Sequence, residues 1–440
     1  LTTVAAVAAL GVVVSWLMKW DMPLPPFVAN AGPAGWSGHT LTAEFVPLAG
    51  ILIALFTLRW WAWTLLAGVV VSLPMAVFAL VPSLSVHVSV EIAAHAGPAM
   101  VLIAVLGAAQ ALFRQGARAA GILVAGLAVG VQVFAAALIG SPWLGSFESK
   151  TSWQLAFTVV GLGGAVLAVL TVRLRSDWTP PERMRPRLAV AAVGAVLLPM
   201  AAYSVDNTLI ADLLGVSPGS LARHPDVLPA IVGLGILVGA VLLAALAGAR
   251  VFFGVAVMGL VQLSANAPLM LALYAAAFDP VSRWIAAALG VAAGCVAAVS
   301  RRRTPIAAGL GVLAGLVLLI TAFATGGTPE KLIDQRLSVV GSVLLALLAA
   351  TITLMVAAVA PVPAERDALA VAAGPLTSVL VLGGSGVLVV TAPYDPANHG
   401  YLDPAHHLGV SAGLLLVAAV LIAGAAGVRF LRTRPQPVLG

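Results

Sequence analysis

Charge is what this sequence has least of. Only 9% of its 440 residues are Asp, Glu, Lys or Arg, while 61% are hydrophobic. That excludes a soluble domain of this length, which carries about a quarter charged residues. Cysteine is nearly absent: Cys295 stands alone within an apolar run, which excludes an internal disulfide and a thiolate metal cluster. No charged residue falls near the middle of any apolar run. Charge inside a bilayer is costly and usually functional, so its lack removes the simplest pointer to a pump or ion channel. The first apolar run lacks the basic start and small-residue cleavage site of a secretory signal, and Lys19, Trp20, Asp21, Met22 and Pro23 follow it. It is expected to be the first spanning helix.

What the chain has in abundance is apolar runs of about 20 residues, each long enough to cross a hydrocarbon core of about 30 Å as a helix. Fourteen such runs are counted. The first six are Val4 to Trp20, Glu44 to Leu58, Trp60 to Leu80, Val88 to Phe113, Ala119 to Ile139 and Trp153 to Leu174. Leu188 to Tyr203 and Val227 to Ala249 follow. The last six are Val251 to Phe278, Val281 to Val299, Pro305 to Thr325, Leu337 to Ala360, Ala368 to Ala392 and Leu408 to Phe430. The longest connection on the basic, cytoplasmic side, RLRSDWTPPERMRPR, separates the first six runs from the rest. The expected fold is an all-α polytopic integral membrane protein with about fourteen transmembrane helices. It divides into a six-helix bundle over 1–175, a cytoplasmic linker with two extra helices over 176–250, and a second six-helix bundle over 251–440.

Charge tests this count independently. With both termini cytoplasmic, 16 of the 22 basic residues fall inside, including Arg59, Arg114, Arg118, Arg173 to Arg187 and Arg301 to Arg303. That is the positive-inside pattern, and it places the protein in the cell membrane. On the other face lie 12 of the 16 acidic residues and all seven histidines. The sequence pI near 10.1 therefore reflects basic loops on one membrane face, and no nucleic-acid partner is expected.

Polar residues inside the runs are the candidates for chemistry. Glu91 and His95 stand four apart, on one helix face, just before Gly97 and Pro98. An imidazole titrates near neutrality, and a neighbouring carboxylate shifts it, so the pair is a candidate proton site; two hydrogen-bonded polar groups at the mouth of a helix are the plainer reading. Gln262, Ser264 and Asn266 precede Pro268, and Thr377 lies ahead of the glycine-rich Gly383 to Gly386 with Ser385. Both stretches are candidate broken helices, whose polar groups can face a substrate cavity; packing contacts between helices are the plainer reading. His399, Asp403, His406 and His407 are metal-ligand types without a fixed metal spacing, so an external loop is expected and no metal site is assigned. No cofactor is expected.

TSWQLAFTVVGLGGAVLAVLTVRLRSD, residues 151–177, resembles the sixth helix of major facilitator superfamily drug:proton antiporters of the fourteen-helix type. FRQGARAAGILVAGLAVGVQVFAAALIG is similar to that family's loop and fifth helix, SRRRTPIAAGLGVLAGLVLLITAF to a later basic loop and helix, and VPAERDALAVAAGPLTSVLVLGGSGVLVV to its penultimate helix. The resemblance implies a secondary transporter working by alternating access. It would export hydrophobic or amphiphilic small molecules across the lipid bilayer, coupled to protons, and it is not an enzyme. It also implies a gating role for Arg59, the residue that AGILIALFTLRWW keeps of the family's charged second loop, and a proton-responsive role for Asp21 at the end of the first helix. The fifth helix lacks the family's Gly-Pro pair, and the fourth run carries Glu91 where the family has an arginine. Two other readings stand beside this one: a transporter-shaped scaffold without transport, and a glycosyltransferase with a lipid-linked donor using Asp21 and Glu44 as acids.

Overall fold

The structure is a computed structural model. It describes residues 2–20, 46, 49–80, 93, 94, 96–138, 151–174, 280–300, parts of 306–320, and 335–359. The elements among these residues are helical: α1 (Thr2–Trp20), α2 (Ala49–Phe56), α3 (Trp61–Leu80), α4 (Ala96–Arg114), α5 (Arg118–Leu138), α6 (Thr151–Arg173), α7 (Pro280–Val299) and α8 (Gln335–Val359). A 3-10 turn, Leu58–Trp60, joins α2 to α3. Among the described residues, three helices are long and apolar enough to cross a membrane: Ala96–Arg114, Leu155–Arg173 and Val281–Val299. The number is four if Ala49–Phe56 and Leu58–Pro74, bent by 76°, form one span. The runs from Leu188 to Phe278 and from Ala368 onward lie outside the described residues, and so do the expected divisions near 176 and 250.

The burial pattern is that of helices set in lipid. On α6 the large side chains Leu155, Val159, Val160 and Leu170 face outward, while Gly161, Ala165 and Ala168 are buried. On α7 Ile285, Leu289 and Val296 face outward, while Ala286, Ala287, Gly290, Gly294 and Ala298 face in. Water would penalise such a surface. Lipid does not, and helices in lipid associate through small residues that let their backbones approach.

α4 is the exception, and it organises the first half. Its side chains are buried nearly all round, from Ala96 to Leu112, as expected for an apolar helix enclosed by others. α1, α3, α5 and the 3-10 turn pack against it. The α4 C-terminus closes through Gly116, whose φ of 87° lies in the left-handed region. The Ala117 N–H donates to Leu112 O at 3.1 Å and the Gly116 N–H to Phe113 O at 3.2 Å. These two bonds form the Schellman motif, which satisfies helix-end carbonyls and turns the chain sharply. Arg118 then opens α5 beside the end of α4.

α5 has a second partner set. Besides α4 and α1, it packs against α7 and α8, and α7 and α8 pack extensively on each other. α5 thus joins helices of residues 1–175 to helices beyond residue 251.

Candidate functional site

Of the residues singled out from the sequence as site candidates, Arg59 is the one that falls among the described residues. Asp21, Glu91, His95, Gln262, Ser264, Asn266, Thr377 and Ser385 lie outside them.

Arg59 sits in the 3-10 turn where the chain breaks between α2 and α3. Thr57 makes the break: its N–H donates to Ile53 O at 2.9 Å and its hydroxyl to the same carbonyl at 2.7 Å. Thr64, one turn into α3, donates its hydroxyl to Thr57 Oγ1 at 2.9 Å or Thr57 O at 3.1 Å. Two threonines therefore satisfy backbone groups that the interrupted helix would leave bare. Both limbs rest on α4. A Cβ on Gly50 would stand 2.5 Å from Ala96 O, and one on Gly107 would stand 2.8 Å from Leu58 Cδ1 and from Trp61 Cβ. The Arg59 guanidinium lies 3.6 Å over the Trp60 ring, in the range of a cation–π contact.

The same end of the bundle holds three more arginines. Arg173, the last residue of α6, places its guanidinium 4.8 Å over Trp63. Arg118 places its own 5.7 Å over Phe113, and Arg114 ends α4. The grouping of Arg59, Arg114, Arg118 and Arg173 expected from charge counting is thus present in the fold. Arg114, Arg118 and Arg173 are exposed.

At the other end of α4, the residues flanking the position of His95 are tightly held. Ala94 and Ala96 are buried, and the Ser72 hydroxyl of α3 donates to Gly68 O at 2.9 Å and reaches Ala94 O at 3.5 Å. Gly97 lies so close to Gly68 and Ser72 that a side chain there would collide.

A third feature is the seam between α5, α7 and α8. A Cβ on Gly126 would stand 2.8 Å from the Cys295 Sγ and 3.1 Å from the Ala357 Cβ, and one on Gly294 would stand 2.6 Å from Ala350 O. Thr353 is fully buried at this junction, and its Oγ1 has no hydrogen-bond partner among the described residues. Toward the start of α7, Arg283 is 6% exposed, and the Ser282 hydroxyl lies 3.2 Å from the Ser342 hydroxyl of α8. Gln110, at 2% exposure, is the buried amide of α4. The sequence reading did not single out Gln110, Arg283 or Thr353. The small-residue spacing Gly126 to Gly130 and Gly290 to Gly294 was the available signal for the seam.

By contrast, Thr171 and Thr351 donate to carbonyls of their own helices, at 2.8 Å to Leu167 O and 2.8 Å to Leu347 O. Such hydroxyls need no partner across a helix interface. Among the described residues, no group of three or more His, Cys, Asp or Glu could hold a metal ion.

No family model matches the chain, and a search of curated proteins gives no match either. Among solved structures it is similar to the major facilitator superfamily proton:xylose symporter XylE bound to 6-bromo-6-deoxy-D-glucose. The TM-score is 0.49 and the identity 13%, over 96% of this chain and 95% of that one.

Proposed function

We infer that the chain is a secondary transporter working by alternating access, exporting hydrophobic or amphiphilic small molecules with proton influx as the coupling reaction. The observation that carries this reading is the two-sided packing of α5, which bears on α1 and α4 on one side and on α7 and α8 on the other. Rocking of two bundles needs a seam of this kind, where smooth, small-residue surfaces meet and large side chains do not interlock. The resemblance of residues 151–177 and the neighbouring stretches to drug:proton antiporters supports the same reading.

In this scheme Glu91 and His95 take up the proton, with Asp21 secondary. Gln262, Ser264, Asn266, Thr377 and Ser385 contribute polar groups to a largely apolar cavity. Arg59, at the break between α2 and α3, gates the basic end. A proton gradient can drive transport when the two states differ in proton affinity.

The test is efflux of a panel of amphiphilic dyes from sealed proteoliposomes under an imposed pH gradient. Gradient-dependent movement of at least one dye is expected, and no movement of any dye under either gradient would favour the scaffold reading. Once a substrate is found, Glu91→Gln should flatten the pH dependence of transport while sparing gradient-independent exchange. Asp21→Asn should mainly change the rate. Unchanged pH dependence in Glu91→Gln would leave Glu91 as a polar group at the mouth of a helix.

A further inference from the structure

Only some of the arginines at the bundle's basic end are explained by the helices that carry them. Cations stabilise helix C-termini and oppose the dipole at N-termini. Arg114 and Arg173 close α4 and α6, where a cation is favourable. Arg59 and Arg118 stand at the starts of α3 and α5, where it is not. Arg59 and Arg173 nevertheless meet at one corner, beside Trp60 and Trp63, while Arg114 and Arg118 share another. Arg173 of α6 reaches Trp63 of α3, and the Leu58–Trp61 corner packs on Gly107 of α4. The start of α5 packs on the end of α4, where a Cβ on Gly121 would stand 2.6 Å from Ala109 O. Trp60 and Trp63 are exposed beside them, at 38% and 42%. Among the described residues no aspartate or glutamate balances this charge.

We propose that Arg59 and Arg173, with the rings of Trp60 and Trp63, form a binding surface for the phosphodiester headgroup of an anionic phospholipid. The chemistry fits one occupant. Arg173 ends one of the helices long enough to span the bilayer, and Arg59 stands at the same corner, which puts both guanidinium groups at the depth expected of lipid phosphates. Tryptophan prefers that same level. A guanidinium stacked by its face on an aromatic ring keeps its N–H edge free for two parallel bonds to phosphate oxygens. Basic pockets between helix ends recognise such headgroups.

The test is electron spin resonance of the full chain in phosphatidylcholine bilayers holding trace spin-labelled phosphatidylglycerol or phosphatidylcholine. The proposal expects the protein to immobilise phosphatidylglycerol preferentially. In Arg59→Gln/Arg173→Gln that preference should fall about fivefold per arginine removed, while Arg59→Lys/Arg173→Lys keeps part of it. Inorganic phosphate at constant ionic strength should not displace the lipid. Equal immobilisation of both lipids by the wild type would overturn the assignment, and so would a preference unchanged in the glutamine variant. Displacement by phosphate alone would show an anion site and reject a lipid surface.

Discussion

At the residue scale, the seam between α7 and α8 makes a sharp comparison possible. A side chain added at Gly294 would meet backbone, 2.6 Å from Ala350 O and 3.1 Å from Leu354 N, as well as the Thr353 Cβ at 2.8 Å. Backbone in two packed helices cannot retreat as a flexible side-chain tip can. Gly294→Ala should therefore cost about 1–3 kcal/mol through overpacking. Gly163 on α6 has nothing within 4 Å of the same added atom. Gly163→Ala should be neutral or stabilise by up to about 1 kcal/mol, because alanine is the better helix former. Thermal unfolding of the two variants in one detergent distinguishes them, and equal shifts would refute the close approach at Gly294. Thr353 offers the complementary test. Its buried hydroxyl has no partner among the described residues, so Thr353→Val keeps the shape and should gain about 1 kcal/mol. A loss of stability there would mean that the hydroxyl is bonded in the folded protein.

At the element scale, the break between α2 and α3 depends on side chains more than on apolar burial. Thr64→Val removes the hydroxyl that reaches Thr57 Oγ1 at 2.9 Å and should loosen the turn by about 0.5–1.5 kcal/mol. Hydrogen exchange should then accelerate at residues 57–61 and stay unchanged in α6; uniform protection would assign the turn's stability to packing on α4. The ends of the helices were largely legible in advance. The expected Trp60 to Leu80 is Trp61–Leu80 in the structure, Ala119 to Ile139 is Arg118–Leu138, and Leu337 to Ala360 is Gln335–Val359. Hydropathy suffices for this because a bilayer imposes one length and one polarity on every crossing segment. The fourth run, expected over Val88 to Phe113, ends at Arg114 in the structure, and its expected start lies outside the described residues. Partner choice was not legible. Nothing in the apolar pattern of α5 distinguishes the face on α4 from the face on α7, because lipid and a neighbouring helix are equally apolar. The glycines Gly126 and Gly130 carry that information through the approach they permit. The chemical candidates were read from residues outside the described part, so only the position of Arg59 could be set against the fold.

At the scale of the whole molecule, charge counting and the fold agree on one point, the gathering of Arg59, Arg114, Arg118 and Arg173 at a common end. If that end is cytoplasmic, cysteines introduced at Ser146 and Asn398 in a Cys295→Ala background should react with an impermeant thiol reagent in intact cells. One at Ser176 should stay protected, and the reverse labelling would sink the fourteen-helix topology. Cys295 itself supplies the test of motion. It is the only cysteine in the chain, it is 3% exposed, and its sulfur faces the bare backbone of Gly126 across the α5–α7 seam. A buried thiol reacts slowly because reagent cannot reach it and no neighbour stabilises its thiolate. Rocking of the bundles must part α5 from α7 and α8 on one side of the membrane or the other. The rate of Cys295 modification by a membrane-permeant maleimide should therefore be low in the resting protein. It should rise when substrate and a pH gradient drive turnover, with Cys295→Ala marking the background. If the rate stays flat while the same proteoliposomes visibly transport, α5 moves with α7 and α8 as one body, and the moving seam must lie elsewhere.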